Sequence, residues 1–350
     1  MDQDRRLACL LGGAIGDALG YRVEFSRWPE IERRYGASGI RLAAATGTLV
    51  VSDDTQMTLF TLEGMARATS PDKIVDEVRD AYLDWLGTQG RPATSREPRG
   101  RLARHAVMCQ PQAPGTTCLA ALRQGGHGTV EHPINDSKGC GGVMRTAPLG
   151  FLPATVSDAE VFRLGAAVAA LTHGHPDGYL PAGAMAVLTR DALENVPWDR
   201  SVAKVLQLVR AWPSGDGMAA AIQSATKAAT SGGPSRATVG ALGQGWVGEE
   251  ALAIGLYAAM TARTFAECIE LAANHDGDSD STASIAGQLW GARHGPAVAP
   301  ADAVNRLDVR DPLVKVLREW EGRAAMLQST WSAYARRLPC STSPARSVPR

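Results

Sequence analysis

The sequence predicts an all-α fold, and three observations carry that prediction. Few segments alternate apolar and polar residues with period two, so strands leave little signal. The middle of the chain is alanine-rich and repeats its apolar residues at helical spacing. Small residues recur every fourth position in two places, at Ala8, Gly12, Gly16 and Gly20 and again at Gly287, Gly291 and Gly295. An interior glycine costs a helix about 1 kcal/mol against alanine, so two such ridges imply helices lying close against other backbone. At 350 residues the chain is long enough for a large core, as one domain or two.

The first helix is expected over residues 5–20, where Leu7, Leu10, Leu11, Ala14, Ile15 and Leu19 are apolar. Asp17 lies inside that helix and Glu24 just beyond it; an acid there is expensive to bury without a partner, so each is a cap, a surface group or part of a site. Ser52-Asp53-Asp54-Thr55 then opens a second helix through Leu59, Phe60, Leu62 and Met65, with Ser52 as its cap. Residues 88–115 hold Arg91, Arg96, Arg99, Arg101 and Arg104 with Glu97 as their one acid. This is a solvated basic face or a contact for an anionic partner. Ser137-Lys138-Gly139-Cys140-Gly141-Gly142-Val143-Met144-Arg145 is more pointed, because glycines let backbone N–H groups approach an anion and the following segment can present a helix N-terminus. It lacks the spacing of a P-loop.

Further on, Leu171-Thr172-His173-Gly174-His175 separates two small-residue helices, and either histidine is a packed polar group or a substrate contact. Gly243-Gln244-Gly245-Trp246-Val247-Gly248 opens another helix, and Trp246 offers a flat face to a base or sugar unless the core takes it. The most concentrated chemistry follows in His275-Asp276-Gly277-Asp278-Ser279-Asp280-Ser281-Thr282. Carboxylates at every second position with hydroxyls between them are a hard-oxygen set suited to Mg²⁺, Mn²⁺ or Ca²⁺. Two such charges about 5 Å apart repel by roughly 3 kcal/mol at an effective dielectric near 20, so the cluster wants solvent or a cation. Ser281 is a good N-cap for a helix carrying Ala283, Ile285, Ala286, Leu289 and Trp290 until Gly295-Pro296. Both acidic clusters thus open helices. If those ends converge, Asp53, Asp54, Asp276, Asp278 and Asp280 share one pocket, and two metal ions are the economical way to neutralise them.

Several classes are excluded. An EF-hand beginning at Asp276 needs glycine and glutamate where Ser281 and Gly287 stand. Asp278-x-Asp280-x-Thr282 matches the aspartate signature of haloacid-dehalogenase-type phosphatases, but that motif follows a buried strand and Leu271-Ala272-Ala273-Asn274 reads as a helix end, which leaves a phosphatase only as an alternative. Lys+Arg and Asp+Glu both number 36, which argues against a nucleic-acid-binding surface over the whole protein. No apolar run is long enough to span a membrane, and Met1-Asp2-Gln3-Asp4-Arg5-Arg6 is too polar for a signal peptide, so a cytoplasmic protein is expected. The six cysteines, Cys9, Cys109, Cys118, Cys140, Cys268 and Cys340, lack CxxC spacing and read as free thiols. The tail at 338–350 lacks the apolar residues to fold and is expected to be disordered.

Taken in order, Gly12 to Gly20 with Glu24, Ser52-Asp53-Asp54-Thr55-x-Met57, Gly139-Cys140-Gly141-Gly142-x-Met144-Arg145, Thr172-His173, Gly245-Trp246 and Gly277-Asp278-Ser279-Asp280-Ser281 resemble the ADP-ribosylglycohydrolase family over nearly the whole chain. The resemblance implies a single all-α domain over residues 1–337 with a binuclear Mg²⁺ or Mn²⁺ centre at the base of an ADP-ribose cleft. It carries metal binding onto Ser52, Asp53, Asp54, Asp278, Asp280 and Ser281, catalysis onto Glu24, Asp54 and Asp278, and substrate binding onto Gly139, Cys140, Gly141, Gly142, Met144, His173 and Trp246. The serine-containing form Gly-Asp-Ser-Asp-Ser-Thr is similar to the ADP-ribosylarginine hydrolases. The expected reaction is therefore metal-dependent cleavage of the N-glycosidic bond between ADP-ribose and an arginine side chain of a modified protein. The competing expectation is a binding protein that neutralises a cognate ADP-ribosyltransferase by occlusion.

Overall fold

A computed structural model describes residues 3–90, 97–296 and 299–335. The order is α1 (Gln3–Gly20), α2 (Trp28–Tyr35), α3 (Asp53–Arg67), α4 (Ile74–Thr88), α5 (Thr116–Arg123), α6 (Asp158–Ala170), α7 (Pro176–Leu193), α8 (Trp198–Arg210), α9 (Asp216–Ser231), α10 (Arg236–Leu242), α11 (Gly248–Thr261), α12 (Phe265–Ala273), α13 (Ser279–His294), α14 (Ala301–Arg306) and α15 (Arg310–Ala335). Among the described residues the only β pairing is two isolated bridges, Leu49 with Leu307 and Gly139 with Val247. The all-α expectation holds. Residues Arg91, Arg96 and Cys340 and the tail at 338–350 lie outside the described residues.

The centre of the molecule is α13, buried continuously from Ser279 to Ala292 and packed by α1, α7, α11 and α12. A helix enclosed on all sides needs no polar face, which is why its apolar residues form no stripe. Its partnership with α1 is set by the two ridges that the sequence displays. A Cβ on Gly12 would stand 2.3 Å from the Gly287 carbonyl oxygen, one on Gly16 2.1 Å from that of Ala283, and one on Gly20 2.2 Å from that of Ser279. The reciprocal contacts, Gly287 on Gly12 and Gly291 on Ala8, are as tight, so the helices run antiparallel with backbone against backbone. The end of α1 is thereby pressed onto the start of α13.

One boundary differs from expectation. The N-cap of α13 is Asp278, not Ser281: the Asp278 carboxylate accepts from the Ser281 N–H at 3.3 Å and the helix starts at Ser279. A carboxylate is a stronger acceptor than a hydroxyl at the positive end of a helix, and it moves the cap three residues upstream.

Candidate metal centre and cleft

The site begins with Asp17 on α1. Its buried carboxylate accepts from the Ser52 N–H at 2.9 Å, from the Thr55 N–H at 3.0 Å and from the Thr55 hydroxyl, so an acid of one helix caps the start of another. Ser52 caps α3 from within, accepting the Asp54 N–H at 3.2 Å. Asp53 and Asp54 are thus fixed in the first turn of α3, and Asp53 Oδ2 also accepts the Gly115 N–H at 3.1 Å. From the opposite side α13 brings Asp278 and Asp280, each accepting from the Ser281 N–H, while the Cys140 thiol donates to Asp278 Oδ2 at 2.7 Å. Glu24 arrives from the turn after α1. Glu24, Asp278 and Asp280 each place an oxygen within 4.8 Å of the others.

The electrostatic consequence is consistent across the set. Burial, with the Asp280 charge next in importance, pushes Asp17 up to about 8 and Glu24 up to about 10. Burial pushes Asp53 up to about 7 against the hydrogen bond from Gly115. Burial likewise raises Asp54, Asp278 and Asp280, and neighbouring carboxylates add to the rise for the first two. None of these carboxylates makes an ion pair among the described residues, and Glu24 Oε2 and Asp54 Oδ2 are buried without any hydrogen-bond partner. Carboxylates so placed stay protonated or take cations. An all-oxygen donor set with orphaned oxygens fits Mg²⁺ or Mn²⁺.

These acids floor a cleft of about 300 Å³. Of the residues expected at the site, Glu24, Asp53, Asp54, Gly139, Cys140, Gly141, Met144, His173, Trp246, Asp278, Asp280 and Ser281 all line it. Ser52 is buried behind the acids. Gly142 does not line the cleft: a Cβ there would lie 2.6 Å from the Gly178 carbonyl, so this glycine serves packing. Nor does a helix begin behind the glycines, which form a single 3-10 turn from Cys140 to Gly142. Asp276 is also apart, exposed and accepting the Trp28 N–H. His175 caps α7 through the Asp177 N–H at 3.0 Å, whereas His173 is buried against the cleft wall. Trp246 stacks on Phe25 at the mouth, ring centroids 6.0 Å apart, so one face of the indole is already taken.

Sequence reading missed the strap from Ala113 to Cys118, which forms one side of the cleft and ends on the start of α5. Its signal was Pro114-Gly115-Thr116-Thr117 opening a helix, obscured by the basic residues before it. Of the arginines among the described residues there, Arg99 pairs with Glu77 and Asp80, and Arg101 pairs with Glu319 at 2.8 Å. A larger groove of about 700 Å³ lies beside α2, α10 and α12. Among its charges Arg41 pairs with Glu270 at 3.8 Å and Arg263 with Glu267, four residues on, at 3.0 Å, and none of the clustered carboxylates lines it.

Known proteins resemble this chain over most of its length. An ADP-ribosyl-dinitrogen reductase glycohydrolase of Rhodospirillum rubrum is 27% identical over 326 residues, covering 88% of this chain and 91% of that protein. An uncharacterised protein of Archaeoglobus fulgidus is 25% identical over 290 residues, covering 81% and 86%. A solved ADP-ribosylglycohydrolase-related protein complex shares the fold with a TM-score of 0.58 at 24% identity, over 92% of this chain and 98% of that one. No helix of the described residues is long and apolar enough to cross a membrane. Because the ADP-ribosylglycohydrolase family model matches residues 1–333, the chain belongs to that family.

Proposed function

We propose that the protein is a metal-dependent hydrolase that removes ADP-ribose from arginine side chains of modified proteins. Family membership supports hydrolysis of an ADP-ribosyl bond. The observation that carries metal dependence is the convergence of Glu24, Asp278 and Asp280 within 4.8 Å beside Asp53 and Asp54. Ser52, Asp53, Asp54, Asp278, Asp280 and Ser281 would hold two Mg²⁺ or Mn²⁺ ions. Bound divalent cations acidify water and orient ribose hydroxyls.

The chain's own groups supply the rest. With cations bound, the Glu24 and Asp54 carboxyls, held protonated without them, would ionise and be available to accept a proton from a water in the cleft that both residues line. The surrounding carboxylates favour the positive charge that develops at the anomeric carbon as the glycosidic bond breaks. Met144, Phe25 and Trp246 form apolar wall that limits access of bulk water. Gly139 and Gly141 leave room for the phosphates to approach the backbone. The arginine linkage rests on the Gly-Asp-Ser-Asp-Ser-Thr form of the second acidic motif.

The test is incubation with an ADP-ribosyl-arginine compound and with an ADP-ribosyl-serine peptide, in Mg²⁺, in Mn²⁺ and in chelator. Release of free ADP-ribose from the arginine compound only with metal is the expected result. Tight binding without release would instead make the protein an occluding binder of the immunity kind. Release from the serine peptide alone would overturn the linkage and keep the hydrolase.

A further inference from the structure

Behind the cleft wall lies a guanidinium that makes no ion pair among the described residues, although its charge reaches Asp53. Arg145 is fully buried, with its charge over the Tyr82 ring at 4.5 Å. It donates to Thr172 Oγ1 at 2.7 Å and, more weakly, to Cys118 Sγ at 3.2 Å and Met57 Sδ at 3.5 Å. Arginine is a donor and never an acceptor, so the Thr172 oxygen must receive and its own hydrogen must point elsewhere. Two acceptors are in reach: His173 Nδ1 at 2.8 Å and the Ala169 carbonyl at 3.4 Å. The Ala169 carbonyl already accepts the Thr172 N–H at 3.0 Å and the His173 N–H at 2.9 Å, which fills its two lone pairs and leaves Nδ1 as the open acceptor for the hydroxyl proton. With Nδ1 accepting, the imidazole proton is left on Nε2.

We infer that Arg145 and Thr172 are positioning residues that fix the His173 ring with its proton on Nε2, aimed past Gly139 and Gly141 into the cleft as a hydrogen-bond donor to an oxygen of the ligand. Nε2 has no protein partner among the described residues, and His173 lines the cleft. The two glycines explain how it reaches the surface: a Cβ on Gly139 would stand 3.2 Å from Nε2, and one on Gly141 3.1 Å from it. Neither glycine has a positive φ, so space and not backbone conformation requires them. An N–H edge is also the one that a carboxylate-rich cleft attracts. It makes His173 a donor, and neither a base nor a metal ligand. Burial and the Arg145 charge hold the ring neutral, with its pKa down to about 3.

The tautomer is read directly from long-range proton–nitrogen NMR spectra of histidine-labelled protein, with His173→Gln used to assign the signal. Wild type should show His173 as the Nε2–H form, unchanged on adding Mg²⁺ or on lowering pH to 5. Thr172→Ser should preserve that pattern. Thr172→Val, which removes the hydroxyl, should leave the proton on Nε2 but move the Nδ1 resonance towards that of an acceptor without a donor, and weaken ADP-ribose binding about tenfold, with Mg²⁺ affinity unchanged. An Nδ1–H ring in the wild type, or an unmoved Nδ1 resonance in a folded Thr172→Val variant, would overturn the relay. The binding arm rests on the ADP-ribose reading of the cleft: an Nε2–H ring in a protein that does not bind ADP-ribose would sink that reading and leave the relay standing.

Discussion

At the scale of single residues, Asp17 shows how much one side chain can decide. In the sequence it is an acid inside an apolar helix, a conflict that marks either a cap or a site. The structure resolves it as a cap for a helix whose N-cap residue, Ser52, lies 35 residues later, since Asp17 accepts the Ser52 and Thr55 N–H groups. Replacing it by alanine orphans three buried donors at the point where Asp53 and Asp54 are held. Asp17→Ala should therefore lower unfolding free energy by about 2–4 kcal/mol in urea titrations, and weaken Mg²⁺ binding in calorimetry although it is not itself among the proposed ligands. A loss below about 0.5 kcal/mol would place it with ordinary surface acids.

At the scale of elements, the α1 and α13 ridges are the part of the fold most legible in advance. Spacing by four announced two close-packed helices; it did not say that they pack on each other, because a ridge specifies a near neighbour and not which one. Their register gives a paired expectation. Gly287→Ala introduces a better helix former but puts its Cβ 2.1 Å from the Gly12 carbonyl oxygen, so it should destabilise by about 1–3 kcal/mol. Gly322→Ala, in α15 with nothing within 4 Å of the new methyl, should be stabilising by up to about 1 kcal/mol. Thermal unfolding of the two variants checks this. Stabilisation of both would mean that the ridge is looser than its geometry.

For the whole molecule, the convergence of two acidic motifs more than 200 residues apart links folding, protons and cations. Burial raises Asp53 to about 7, Asp17 to about 8 and Glu24 to about 10, so the metal-free native state binds more protons than the unfolded chain. Their stabilising contribution is complete below about pH 4 and is lost as pH rises through those raised values. In chelator these groups should lower the melting temperature from about pH 4 up to about pH 10, whereas saturating Mg²⁺ or Mn²⁺ should raise it and flatten the slope. Metal binding at pH 7 should release protons, visible as heats that depend on the buffer. A flat chelator curve would mean that the acids have another counterion. That two acidic clusters open helices and that glycine ridges flank them were determined by the sequence alone, because caps and spacing are encoded within a turn or two. Tertiary structure decided the rest: that Asp276 caps α2 instead of joining the cluster, that Asp17 serves α3, that Ala113 to Cys118 wall the cleft, and which nitrogen of His173 faces it. Each of these depends on a partner brought from a distant part of the chain, and the hydrogen bond or close approach that fixes it exists only once the helices have packed.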